Sequence, residues 1–387
     1  MAETPTAPPE NLESGPNVPR RRRWLAVLVF LLPLAGLLWV SNWFYQRSRL
    51  FADSHVVLGE PTLPWGHLIG DENARELFGV PVEFNPSQKK LTSYQVGMIG
   101  GYTALKSLQL WGVTDADVHK LRGLTNLEDL SLYESPITDE ACESLSELTG
   151  LQRLTLTGAK LTDAGCEFLG RMDHLQYLSL GDFYADSTTI EITDAGLSHL
   201  VGLTQLRGLD LVAPRVTDEG LKSLAKLQNL EALMLNGSSL SGDGLGGLSQ
   251  LTYLRALGIK DWSLQEHALS ELPKLGSLIQ LSLWHCSLSD NCLNPVGDCN
   301  ILSRLSLERS HFSDNLSLRP LEKCLMLESV FLEQTNATDA MLEDLMSVQS
   351  LCSLYLTQTN VSHDAALRFH QSHPTVFMTD ATGHRLE

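Results

Sequence analysis

No Cys-x-x-Cys pair occurs in the chain, and neither His-Glu-x-x-His nor Gly-x-Ser-x-Gly is present. The first absence argues against a structural zinc site. The other two argue against a metalloprotease helix and a nucleophile elbow. His363, His370, His373 and His384 match no metal-ligand spacing. Positive charge is scarce: Lys and Arg total 28 against 46 Asp and Glu, giving a net charge of −18 over 387 residues. The whole deficit lies beyond residue 49, because Arg20–Arg23, Arg47 and Arg49 outnumber Glu3, Glu10 and Glu13 before it. So acidic a surface repels a phosphate backbone, which disfavours nucleic acid as a partner. Aromatic residues amount to only 7%, while apolar residues reach 43%, and Leu dominates them. With no catalytic residue, cofactor, metal or small-molecule substrate indicated, the chain is not expected to be an enzyme.

What is present begins with a membrane signal. Residues 2–19 are rich in Pro, Glu, Asn and Thr, so residues 1–23 are expected to form a disordered tail. Trp24 to Gln46 follow without a charge. As a helix this stretch would span roughly 35 Å, against a hydrocarbon core of about 30 Å. Trp24 at one end and Trp39, Trp43 and Tyr45 at the other sit where interfacial aromatics belong. No A-x-A-like exit follows, which favours an uncleaved signal-anchor over a signal peptide. Four arginines before the span against two after it place the amino terminus in the cytoplasm and the remainder outside, as a single-pass membrane protein. Residues 47–76 are then a linker and cap, and 379–387 a tail.

Between them lies a repeat. Leu151–His174 and Leu206–Asn229 share one pattern: Leu-x-x-Leu-x-Leu, four variable residues, an apolar residue with Thr-Asp, then apolar positions three apart. Units begin at Leu105, Leu127, Leu151, Leu175, Leu206, Leu230, Leu254, Leu278, Leu302, Leu327 and Leu351. A degenerate unit starts at Leu77, with Val80, Val82, Leu91, Val96, Ile99 and Tyr102 near register. Leu154 and Leu156 alternate, as in a strand with both leucines inward. Thr162 reads as a helix N-cap, with Asp163 at the positive end of the helix dipole. Cys166, Leu169 and Met172 form one face of a helical or 3₁₀ turn packed on the strand. Strands stack at about 4.8 Å and helices at about 8–10 Å, so the array curves with its sheet on the concave side.

In these residues the sequence resembles the leucine-rich-repeat superfamily, in particular the helix-bearing ribonuclease-inhibitor-like and F-box-associated repeats and the bacterial L-T-D-x-G-L repeats. The resemblance covers Leu77 to about Met378, some twelve units of about 24 residues. It implies an α/β solenoid, with a curved parallel sheet inside and short helices outside, that works by binding.

Two features imitate chemistry. Gly242-Asp243-Gly244-Leu245-Gly246-Gly247 matches Gly-x-Gly-x-x-Gly, but Leu245 and Leu248 occupy the repeat's own core positions. The glycines instead mark a weakened helix. Cys142 and Cys166 share one core position and Cys299 and Cys324 another, so they read as small buried hydrophobes.

On the concave face the central units present mild side chains: Thr155, Thr157, Ser179, Val212, Asn236 and Gly258. Towards the ends they become aromatic. Trp111 and Tyr133 share a column with Tyr177 nearby, and Phe331 and Tyr355 share another with Trp284 nearby. One unit also carries seven extra residues between Leu180 and Ile192, including Phe183, Tyr184 and Asp186. These nine residues are the candidate partner-binding positions. The expected function is a membrane-anchored protein-interaction receptor or scaffold. The alternatives are an intracellular adapter of the F-box-associated kind and a carbohydrate-binding envelope protein.

Overall fold

The computed structural model describes residues 55–58, 81–86, 88, 90–183, 189–237, 240 and 242–386. Residues 1–23, the expected span Trp24–Gln46, and Tyr184 and Asp186 lie outside them. Among the described residues no helix is long and apolar enough to cross a membrane.

The repeats stack in chain order into a 14-stranded sheet. Its first strand, His55–Leu58, pairs antiparallel with Pro81–Asn85, and every later pairing is parallel. The first unit is in a different register from that expected of Val80 and Val82: Phe84 stands opposite Leu108, so Pro81 takes the leading position. Its other half follows the pattern, with Leu91, Val96 and Ile99 buried. Within each strand the paired leucines turn inward; Leu108, Leu110, Leu154 and Leu156 are fully buried. Beyond the last expected unit, Phe377–Thr379 adds one more strand. Residues 380–386 fold back as a cap instead of forming a tail: Arg385 bridges Thr379, and Leu386 is buried.

The Thr-Asp dipeptide does more than cap its own helix. Thr162 accepts from the Ala164 amide as expected (3.3 Å), and Thr138, Thr193 and Thr217 act alike. The aspartate, however, reaches into the next repeat. Asp115, Asp139, Asp163, Asp194 and Asp339 each accept both the backbone N–H and the hydroxyl of the following cap (Thr138, Thr162, Thr193, Thr217 and Ser362), at 2.6–2.9 Å. At three of these junctions a glycine three residues after the cap makes room for the carboxylate of the repeat before; Ala141 and Ala365 fill that position at the other two. A Cβ on Gly165, Gly196 or Gly220 would come no farther than 2.5 Å from the preceding Asp139, Asp163 or Asp194 oxygen. The exception keeps the logic. Ser93 replaces the first aspartate, and the glycine position downstream holds Asp117, which takes the Ser93 hydroxyl and caps Thr114 within its own repeat.

The array changes character midway. Six α-helices, from Ser93–Ile99 to Asp218–Ser223, line its first part. From Asp243–Gln250 to Arg319–Lys323 the helical side is 3₁₀, and Pro273, Pro295 and Pro320 sit in its first turns. Ser289 and Ser313, which stand in their repeats where Thr162 stands in its own, start no helix. Instead Ser263–Leu264, Ser287–Leu288 and His311–Phe312 form a second small parallel sheet. The glycines at 242–247 permit close packing as well as weakening a helix: a Cβ on Gly244 or Gly247 would meet the Cα of Asp218 or Lys222 at 2.7 and 2.8 Å.

Among these carboxylates, Asp163 and Asp339 illustrate the electrostatics. Burial alone would raise Asp163, but the bonds from Thr193 and Gly196 outweigh it and hold its pKa below the ordinary value. Asp339 is lowered by the backbone and hydroxyl bonds of Ser362. Both shifts are downward, so their contribution is complete above the ordinary carboxylate value and disappears as pH falls through the lowered one. Asp163→Ala is expected to cost about 1–2 kcal/mol at neutral pH, the loss of charge-assisted bonds at a partly exposed site. Urea titrations at pH 7 and at pH 3 should show that cost shrinking in acid; an equal cost at both pH values would mean the carboxylate charge is irrelevant.

Candidate functional site

Three columns of side chains cover the open face of the sheet, the side away from the helices. One column runs Trp111, Tyr133, Thr157, Gly181, Val212, Asn236, Lys260 and Trp284, fixed by the strand pairings and the repeat spacing. The next contains Asp210, Met234, Phe331 and Tyr355.

Both expected aromatic pairs form. The Trp111 and Tyr133 rings lie 4.8 Å apart, tilted by 30°. Phe331 and Tyr355 stack at 4.7 Å with an interplanar angle of 3°. The second pair continues into Phe377, 5.6 Å from Tyr355, whose own ring is covered by Arg385. Phe377 was not among the predicted positions, because its unit opens with Thr375 where the pattern calls for Leu.

Tyr177 plays a different part from its neighbours. Its ring lies over Gly208, where a Cβ would stand 2.5 Å from Cδ2, and its hydroxyl donates to Asp210. Burial raises the Asp210 carboxyl, against the opposing effect of the Tyr177 bond. Burial, reinforced by that bond and the Asp210 charge, raises the Tyr177 phenol too. This is a brace across two strands.

The insertion joins what the sequence kept apart. Gly181 turns the chain out of its strand at φ +97°, where a Cβ would collide with Val212. Two residues on, the Phe183 carbonyl accepts from Asn236 Nδ2 at 3.2 Å. The Phe183 ring stacks on Trp284 with centroids 6.0 Å apart. Two cations flank Trp284: Lys260 Nζ is 5.0 Å and Arg309 5.3 Å from its ring centre. Lys260 is almost wholly buried and lies 3.8 Å from Asp261. Phe183 therefore stands over the central stretch that looked mild in sequence, beside the open side chains of Thr155, Thr157 and Ser179. Neither Lys260 nor Arg309 is an expected position: Lys260 shares the Trp284 column but is not aromatic, and Arg309 lies just past that column.

Phe183 thus borders two grooves. The larger, about 790 Å³, is walled by Trp111, Tyr133 and Phe183, with Glu134, Asp182 and Asp210 supplying acid. The smaller, about 270 Å³, lies between Trp284 and Phe331 and carries Arg304 and Glu308. Beside it Glu333 is raised by burial and by the charge of Glu308.

The cysteines and two of the histidines near the carboxyl end take structural parts. Burial pushes the Cys166 thiol up to about 12 and the Cys324 thiol to about 11, and none of the seven cysteines is in a disulfide. His363 faces Asp380 at 3.3 Å and His373 stacks on Phe369. No group of three His, Cys, Asp or Glu side chains able to hold a metal occurs among the described residues.

No protein-family model matches the chain, and a search of curated proteins finds no match. Solved structures do resemble it. An internalin (inlF) from Listeria monocytogenes str. 4b F2365 superposes with a TM-score of 0.56 at 24% identity, covering 77% of this chain and 86% of that one. A TDR receptor gives a TM-score of 0.51 at 15% identity over 75% of this chain, which spans 49% of the receptor's length.

The geometry separates aromatics that brace from aromatics that stand available. Tyr177→Phe removes the hydroxyl partner of a buried carboxyl and should cost about 1–3 kcal/mol. Trp111→Ala/Tyr133→Ala opens no core cavity and should cost about 0.2–1 kcal/mol, the worth of a cross-strand pair. Denaturant midpoints of the two variants decide; a larger loss from the double variant would make that pair part of the scaffold.

Proposed function

With the leucine-rich-repeat fold as the premise, we propose that the chain is a membrane-anchored protein-interaction module. Trp24–Gln46 serves as a single-pass anchor with residues 1–23 in the cytoplasm. The repeat domain lies on the extracytoplasmic side and binds a protein partner along its open face. No cofactor, metal or small-molecule substrate enters this reading.

The observation that carries it is the two-groove face, with Phe183 set between Trp111–Tyr133 on one side and Trp284–Phe331 on the other. Trp, Tyr and Arg side chains such as these are the composition of binding hot spots. Two clefts sharing one wall suit an extended polypeptide laid across the strands. A receptor among the structures of the same fold supports binding as the role.

The test is partner capture by the full chain in its native membrane, comparing wild type with Trp111→Ala/Tyr133→Ala and Phe331→Ala/Tyr355→Ala. At least one double variant should lose about 2 kcal/mol of affinity, roughly thirtyfold in Kd. Protease added outside should reach the repeats and spare residues 1–23. Undiminished capture by both variants would remove the aromatic pairs from the site, and protected repeats would reverse the topology.

A further inference from the structure

Each repeat enters its strand through a short loop, and residues on either side of the strand's leading leucine project from one edge of the sheet. Gln176, Arg207, Glu231 and Tyr253 line a single shallow groove there. In the first half of the array this edge is polar and tied from repeat to repeat. Lys106 pairs with Glu128 at 2.6 Å, and Arg207 pairs with Glu231. Asn126 and Asn229 donate to the Thr103 and Thr204 carbonyls.

In four consecutive repeats of the second half one of the two flanking positions is apolar, and Leu325 adds a further apolar side chain beside Met326. Tyr253, Ile279, Ile301, Leu325 and Met326 are 59%, 41%, 43%, 79% and 54% exposed. Backbone bonds from Ile279 to Arg255, from Ser303 to Ile279 and from Glu328 to Ser303 (2.8–2.9 Å) hold the four repeats in step beneath them, with Arg255, Ser277, Ser303 and Glu328 interleaved among the apolar side chains. In an acidic chain, an apolar ridge of this kind marks a contact surface.

The ends of the ridge carry opposite charges. Arg255 follows Tyr253 and forms no ion pair among the described residues. Glu328 follows Met326 and is bound by the Ser303 hydroxyl at 3.2 Å, again without an ion pair among those residues. Such a surface complements itself when turned end for end. We propose that this edge is the interface with a second copy of the chain, the two ridges lying antiparallel about a two-fold axis between Ile279 and Ile301. Each Arg255 then meets the partner's Glu328, and Tyr253 packs against the partner's Met326. A two-fold contact uses the same patch twice and satisfies both charged ends at once. At about 4.8 Å per strand the ridge is about 15 Å long. Its buried area therefore falls at or below the roughly 800 Å² per partner of an ordinary interface, so the dimer is weak and reversible.

The mass of the full chain across a concentration series, by sedimentation equilibrium, tests this. Wild type should pass reversibly from monomer to dimer. Arg255→Glu, Glu328→Arg and Leu325→Asp should each raise the dimer Kd about tenfold or more. The double reversal Arg255→Glu/Glu328→Arg should regain most of the loss, and a folding defect could not produce that recovery. A monomer at the highest attainable concentration would overturn the proposal and assign the ridge to a different macromolecule. So would a dimer indifferent to all three changes, as one held through Trp24–Gln46 would be, or single losses that the double reversal leaves uncorrected.

Discussion

Each of five repeats is joined to the next by a carboxylate that leaves its own helix and caps its neighbour's, and most of the first half of the array follows from that bond. A buried helix start has orphan N–H groups that must be satisfied. Here the satisfying group comes from the adjacent unit, so capping and stacking are one interaction. Asp163 holds Thr193 by its amide and hydroxyl and also takes the Gly196 amide. The glycine is the steric counterpart of that carboxylate. Where Ser93 stands in the aspartate's place, the glycine gives way to Asp117 and the bond runs the other way. A repeat array is stabilised by such nearest-neighbour terms, so losing one junction weakens two units.

With the stacking fixed in this way, the open face is free to vary. Its columns are set by strand register, and a side chain there fills no core space. The chain uses that freedom at two places. Aromatic pairs form where neighbouring units carry rings in one column, and Phe183, at the start of the unit with seven extra residues, stacks on Trp284. In the second half 3₁₀ turns, three of them with a proline in the first turn, stand where α-helices stood, and a short second sheet takes over the joining of repeats.

Much of this was legible in the sequence, and the limits have physical reasons. Period-two leucines and period-three apolar positions announce strand and helix, because burial imposes both. The pairs Trp111–Tyr133 and Phe331–Tyr355 follow from register alone. Asp163 was legible only as a dipole partner, since its longer reach depends on how the next repeat stacks. The partnership of Phe183 with Trp284 joins residues about a hundred positions apart through a loop whose path no periodicity encodes. Phe377 was hidden by a missing leucine, and Tyr177 was taken for a surface ring because nothing local shows that Gly208 leaves space beneath it.

The central claim is that the open face meets a protein partner, and a photo-reactive residue at a chosen position reads this most directly. Placed at Thr157, between the Trp111–Tyr133 pair and Phe183, it should crosslink the full chain to another protein in the native membrane. Placed at Glu143, exposed on the helical side, it should not. Crosslinks from Glu143 alone would contradict the claim and move binding to the opposite surface.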